Sequence, residues 1–126
     1  MPQAKVLLID DEVEFVSALA ERLRLRDYDA LAFSQAKDAL DIIQSDPPHV
    51  VLLDFRMPGM DGIEVLKIIK QMNPSIEVIM LTGHGDTRSI EEGMKSGAFE
   101  YIMKPVDIGE LVLKINQAKN KLDSIK

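Results

Sequence analysis

Val50-Val51-Leu52-Leu53-Asp54 is five residues long, four of them apolar, and shows no polar alternation before it ends abruptly on a carboxylate. A strand exposed on one face alternates apolar with polar residues, so an unbroken apolar run of this length marks a strand covered on both faces. Val6 to Ile9 and Val78 to Leu81 read the same way, and the three runs form the expected centre of a sheet. Tyr28 to Phe33 and Phe99 to Met103 mix apolar with polar or small residues and fit its edges.

Segments of helical period separate these strands: Val16, Leu19, Ala20, Leu23; then Ala36, Ala39, Leu40, Ile43; then Leu66, Ile69, Met72; and last Ile108, Leu111, Val112, Ile115, Leu122. A fourth, shorter helix, roughly Thr87 to Ser96, contains Gly93 and offers only Ile90 and Met94 as large apolar anchors, which predicts the least firmly packed helix. Asp11 with Glu14, Asp61 with Glu64 and Asp107 with Glu110 each put a carboxylate at a predicted helix start and a Glu three residues on. Asp46-Pro47-Pro48-His49 is a stiff entry into the third strand. Fivefold βα alternation with right-handed crossovers predicts an α/β fold: a doubly wound five-stranded parallel sheet of order 2-1-3-4-5, helices on both faces, in a single domain over residues 1–126. The binding crevice of such a sheet lies beyond the carboxyl ends of the strands, where the winding reverses between strands one and three.

Composition narrows the chemistry. A chain without cysteine has no disulfide, thiolate metal site or cysteine nucleophile, so a metal would fall to oxygen ligands or the two histidines, which favours a hard cation such as Mg²⁺. A net charge of −6 argues against direct nucleic-acid binding by this domain. The longest apolar runs are only four or five residues and no signal-peptide pattern opens the chain, so no membrane span and a cytoplasmic location are expected.

At the strand exits stand Asp10 and Asp11, Asp54, Thr82 and Lys104, all on one predicted rim. Three neighbouring carboxylates in a partly dry crevice repel one another at a cost of several kcal/mol, on the order of an uncompensated buried charge, unless a divalent cation and Lys104 offset it. Singly each residue has a plain structural explanation: Asp11 as a helix cap, Thr82-Gly83 as a strand exit, Lys104-Pro105 as a snorkelling lysine before a strand terminator. Together at successive strand ends they mark a site.

The ordered set Leu8-Ile9-Asp10-Asp11-Glu12, Leu53-Asp54-Phe55-Arg56-Met57-Pro58-Gly59-Met60-Asp61-Gly62, Leu81-Thr82-Gly83-His84-Gly85 and Tyr101-Ile102-Met103-Lys104-Pro105 resembles the receiver (phosphoacceptor) domain of two-component response regulators over essentially the whole chain. The resemblance implies a flavodoxin-like fold and a sensor histidine kinase or histidine phosphotransfer protein as phosphoryl donor. Asp54 would be the acceptor, and Mg²⁺, with Mn²⁺ as substitute, would be held by Asp10 or Asp11, Asp54 and the backbone carbonyl of Arg56. It also implies a cis peptide before Pro105, which is plausible because X–Pro bonds take cis at little cost. Thr82 and Lys104 would contact the phosphoryl group, and Tyr101 matches the family's switch aromatic, although a solvated edge-strand tyrosine reads equally well. Pro58 and Gly62 belong to the turn after the acceptor, while Arg56 and His84 occupy positions thought to tune the phosphoryl lifetime. A lone loop histidine is more often simply solvated, and His49 has no assigned role.

The expected output is a phosphorylation-controlled switch acting on a partner protein or an effector domain, not turnover of external substrates. Whether a phosphorylation-dependent homodimer forms through helix four, strand five and helix five is left open. Two other classes fit less well. An aspartyl-phosphate phosphohydrolase usually has a second acid two residues after its nucleophile, where this chain has Arg56. A nucleotide-binding module would need a Gly-rich turn after strand one, where Asp10-Asp11-Glu12 would repel a pyrophosphate. A degenerate receiver serving as a scaffold is disfavoured because all five pocket positions are filled.

Overall fold

The computed structural model describes residues 4–57, 60–83 and 87–125. In chain order the elements are β1 (Lys5–Ile9), α1 (Val13–Arg24), β2 (Asp29–Phe33), α2 (Ala36–Ser45), β3 (Val50–Asp54), β4 (Arg56–Met57), β5 (Met60–Asp61), α3 (Gly62–Met72), β6 (Glu77–Thr82), α4 (Thr87–Lys95), β7 (Glu100–Met103) and α5 (Ile108–Ile125). Five strands pair in parallel in the order β2-β1-β3-β6-β7, the predicted 2-1-3-4-5 when the two-residue strands are set aside. The antiparallel β4–β5 ribbon was not expected from the sequence; two residues per strand are too few to show a period.

Successive side chains along the central strands divide between two cores. Val6, Leu8, Val50, Leu52, Ile79 and Leu81 face α1 and α5, through Val16, Leu19, Leu23, Leu111 and Ile115. Leu7, Ile9, Val51, Leu53, Val78 and Met80 face the opposite layer, through Ala36, Ala39 and Ile43 of α2, Leu66 and Ile69 of α3, and the half-buried Ile90 of α4. Both faces are therefore apolar, which is why the runs lack polar alternation.

Some local expectations need correction. Met72 is 39% exposed in the last turn of α3, and Ile63 and Val65 fill the core instead. Met94 is 41% exposed, while Gly93 is the buried residue of α4. Gly93 is thus a close-approach position: a Cβ there would meet the Met80 side chain and come within 2.9 Å of Phe55 Cζ. Asp11 does not cap α1. The N-cap is Glu12, without a side-chain cap bond, because the Asp10 carboxylate accepts the Glu12 amide at 2.9 Å and leaves Asp11 exposed. Asp61 and Asp107 do accept amides of the first helical turn, from Ile63 at 2.9 Å and Gly109 at 3.2 Å. His49 has a structural role that the sequence did not show: its Nδ1 accepts the Lys5 amide at 3.0 Å and fastens the entries of β1 and β3 together.

Gly62 carries the turn into α3 against backbone, since a Cβ there would lie 2.7 Å from Phe55 Cα. Gly62→Ala and Gly93→Ala are each expected to cost about 1–3 kcal/mol by overpacking. Gly83→Ala, with nothing within 4 Å of its Cβ position, should be close to neutral; urea unfolding midpoints check all three.

Candidate functional site

The parallel register brings the carboxyl ends of β1, β3, β6 and β7 to one rim, and the ladder runs slightly beyond the strands to fix it. The Asp10 amide donates to Phe33 O at 3.0 Å, and the Lys104 amide donates to Thr82 O at 2.7 Å. Asp54 closes β3, with Leu81 as its register partner on β6. Asp10 is fully buried, and Asp54 and Thr82 are only 4% and 6% exposed. The Lys104–Pro105 peptide is cis.

Lys104 reaches back over this rim as its cation. Its Nζ lies 2.9 Å from Glu12 Oε1, 2.9 Å from Asp10 Oδ2 and 3.7 Å from Asp54 Oδ2. It also stands 4.7 Å from the centroid of the Phe15 ring, a cation–π contact. Burial alone would lower its pKa, but the carboxylates of Glu12, Asp10 and Asp54 outweigh burial and hold the ammonium above its ordinary 10.5. Two buried atoms at the site, Asp10 Oδ2 and the Thr82 hydroxyl, have no hydrogen-bond partner among the described residues. Asp10 Oδ2 is therefore an ion-pair neighbour of Lys104 without hydrogen-bond alignment. Three acids, Asp10, Glu12 and Asp54, converge with oxygens within 4.8 Å of one another.

Asp10, Asp54, Thr82 and Lys104 thus sit together as the sequence suggested. Asp11 is exposed and is not among the three converging acids; Glu12 is. Sequence reasoning gave no role to Glu12 or Phe15. The available signal was their placement, since residues 12 and 15 lie three apart across the start of α1 and therefore on one face, next to Asp10. Tyr101 lies on edge strand β7, 36% exposed. Pro58 and His84 lie outside the described residues, and of Arg56 only the backbone is described, paired with Asp61.

Acids and a lysine gathered at the switch point of a parallel sheet fit several chemistries, and comparison with known proteins decides among them. The model of the response regulator receiver domain matches residues 6–116. This chain belongs to that family. Sporulation initiation phosphotransferase F of Bacillus subtilis is 37% identical over 111 residues, covering 88% of this chain and 90% of the relative. The DNA-binding transcriptional regulator NtrC of Proteus hauseri is 36% identical over 94% of this chain, which spans only 25% of the length of that relative. Among solved structures, a response regulator receiver domain protein from Clostridium thermocellum superposes with a TM-score of 0.92 at 36% identity, covering 98% of this chain and 99% of the other. The protein is a receiver domain of two-component response regulators, with the five-stranded doubly wound sheet of that family.

The receiver's stability should fall in strong alkali, and the sign follows from two groups. Burial pushes the Tyr28 hydroxyl above its ordinary 10.0, and Lys104 is held above 10.5, so the folded protein binds these protons more tightly than the unfolded chain. Their contribution is complete below pH 10 and is lost as pH climbs through the raised values. Urea midpoints at pH 8, about 10 and about 11.5 should be flat between the first two and drop at the third, less so in Lys104→Met.

Proposed function

We propose that Asp54 accepts a phosphoryl group from a sensor histidine kinase or a histidine phosphotransfer protein, and that the resulting aspartyl phosphate switches the receiver between two conformations. The observation that carries this reading is the arrangement around Asp54: a carboxylate at the end of a buried strand, an ammonium 3.7 Å away, and a buried threonine hydroxyl on the neighbouring strand without a partner among the described residues. A carboxylate oxygen of Asp54 attacks phosphorus and forms a P–O bond. The P–N bond to the donor imidazole breaks, and its electron pair stays on nitrogen. Thr82 then has a phosphoryl oxygen to which its hydroxyl can donate, and Lys104 gains a doubly charged partner in place of a carboxylate.

The donor set fits a divalent cation, because Asp10 Oδ2 is buried without a hydrogen-bond partner among the described residues, beside two further carboxylates. Asp10 and Asp54, with the backbone carbonyl of Arg56 and Asp11 on the solvent side, would hold Mg²⁺ or Mn²⁺. When bound, the cation neutralises charge on the transferring oxygens. The conformational response runs through Thr82 and Lys104 into β6, β7 and α4, whose only buried residue among those described is Gly93, with Tyr101 on β7 turning inward. Such coupling is typically about 1–3 kcal/mol. The output is exerted on a partner protein or an effector domain, with a homodimer through α4, β7 and α5 as one form of it, and the receiver works in the cytoplasm. Among the described residues no helix is long and apolar enough to cross a membrane.

Incubation with Mg²⁺ and acetyl phosphate, followed by intact mass and amide exchange, tests the reading. One added phosphoryl group and altered exchange across residues 87–104 are expected. Steady turnover of a phosphate ester would identify a phosphohydrolase instead, and unchanged exchange would remove α4 from the switch.

A further inference from the structure

Lys104 is shared unequally. Its Nζ lies 2.9 Å from Glu12 Oε1, with which it hydrogen-bonds, and 2.9 Å from the buried Asp10 Oδ2, whereas Asp54 Oδ2 lies at 3.7 Å, beyond hydrogen-bond reach. Glu12 is otherwise a surface residue with its side chain 62% exposed, and nothing in the fold requires an acid there for packing. Its position is nevertheless fixed, because Asp10 Oδ1 accepts the Glu12 amide at 2.9 Å and so places the Glu12 side chain at the mouth of the site. The Phe15 ring, one turn further along α1, backs the ammonium from below at 4.7 Å. Glu12 and Phe15 thus form a seat for Lys104 on α1, apart from the acceptor. The Glu12 side of the seat is exposed, so giving up that contact carries a small solvation cost, while the buried Asp10, also at 2.9 Å, remains beside the ammonium.

We propose that Glu12 is a positioning residue that holds Lys104 back from Asp54 in the resting receiver and releases it when a phosphoryl group offers a stronger partner. This rests on the reading of Asp54 as acceptor and deepens it. The ammonium moves from one carboxylate to a phosphoryl oxygen with no bond made or broken, so the Glu12 contact stabilises only the resting state. Removing it should make the phosphorylated conformation easier to reach, by the factor that a partly exposed ion pair supplies.

The test measures binding of beryllofluoride, a tetrahedral phosphoryl mimic, in excess Mg²⁺ for the wild type, Glu12→Gln, Lys104→Ala and the double variant, with circular dichroism to establish that each folds. Glu12→Gln should bind the mimic about two- to five-fold more tightly at low salt, with the gain shrinking as salt is raised. In the Lys104→Ala background the same change should have no effect, which a general structural role of Glu12 would not produce. Mg²⁺ affinity by calorimetry without the mimic should fall by no more than about two- to three-fold in Glu12→Gln, the effect of losing one exposed charge near the site. Equal or weaker binding of the mimic by Glu12→Gln, an undiminished gain without Lys104, or a loss of Mg²⁺ affinity of roughly tenfold or more, marking Glu12 as a metal ligand, would each overturn the proposal. If the wild type fails to bind the mimic at all, it is the acceptor reading of Asp54 that fails.

Discussion

Asp54→Asn is expected to abolish phosphoryl acceptance while leaving a folded and more stable receiver. The amide is nearly the same size and cannot serve as a carboxylate nucleophile, so the added mass seen in the wild type should vanish. Stability should move the other way. Asp54 is 4% exposed and its carboxylate converges with those of Asp10 and Glu12 around the Lys104 ammonium. Neutralising one of them in the absence of divalent cation should add on the order of 1 kcal/mol, since repulsion between close, partly desolvated carboxylates is removed. Urea unfolding in chelator measures this. Saturating Mg²⁺ should shrink or reverse the difference, because the wild type then gains more from the cation. A variant less stable than the wild type in chelator would show that Asp54 is held mainly by favourable contacts.

Lys104→Ala should produce the largest loss of stability of any single change at the rim. Asp10 is fully buried, and Lys104 is its cation at 2.9 Å. Deleting one partner of a buried pair typically costs about 3–5 kcal/mol, because the other charge is left stranded. With 18% of the Lys104 side chain exposed, water screens part of this, and a loss on the order of 3 kcal/mol in chelator is expected. Millimolar Mg²⁺ should recover a substantial part of the loss by supplying the missing positive charge. The variant should still accept a phosphoryl group on Asp54 but show a weaker exchange response in α4 and β7, since one of the two contacts that read the phosphoryl group is gone. Full stability without metal would mean that the contact with Lys104 contributes nothing to holding Asp10 in the fold.

The sheet was legible because its central strands are covered on both faces, and burial of that kind leaves an unbroken apolar run in the sequence. Val50 to Asp54 and Glu77 to Thr82 are buried at every position. The edge strands were legible by contrast, with polar positions left on β2 and β7. What the periodicity could not show was the role of Gly93. A glycine in a short helix reads as a weakness, whereas here it lets α4 lie against the Met80 and Phe55 side chains; only their closeness to Gly93 separates these readings.

At the site, Asp10, Asp54, Thr82 and Lys104 were legible because each ends a strand and parallel strands end together. Asp11 was expected to cap α1, and the structure leaves it exposed at the rim while Glu12 turns to Lys104. Where a strand passes into a helix, the side-chain direction depends on the turn between them, and that turn is set by the Asp10 carboxylate accepting the Glu12 amide. No residue pattern encodes that bond. Phe15 escaped notice for a similar reason, since an aromatic near a helix start reads as core until a cation is found over its face.

The central claim is that Asp54 becomes an aspartyl phosphate. Borohydride reduces such an acyl phosphate to homoserine, so reductive trapping of the phosphorylated receiver followed by peptide mapping locates the acceptor directly. The account predicts homoserine at position 54 and at no other, formed only when Mg²⁺ and the phosphodonor are both present. Trapping at Asp10, Asp11 or Glu12, or a phosphorylated protein with no reducible acyl phosphate, would contradict it.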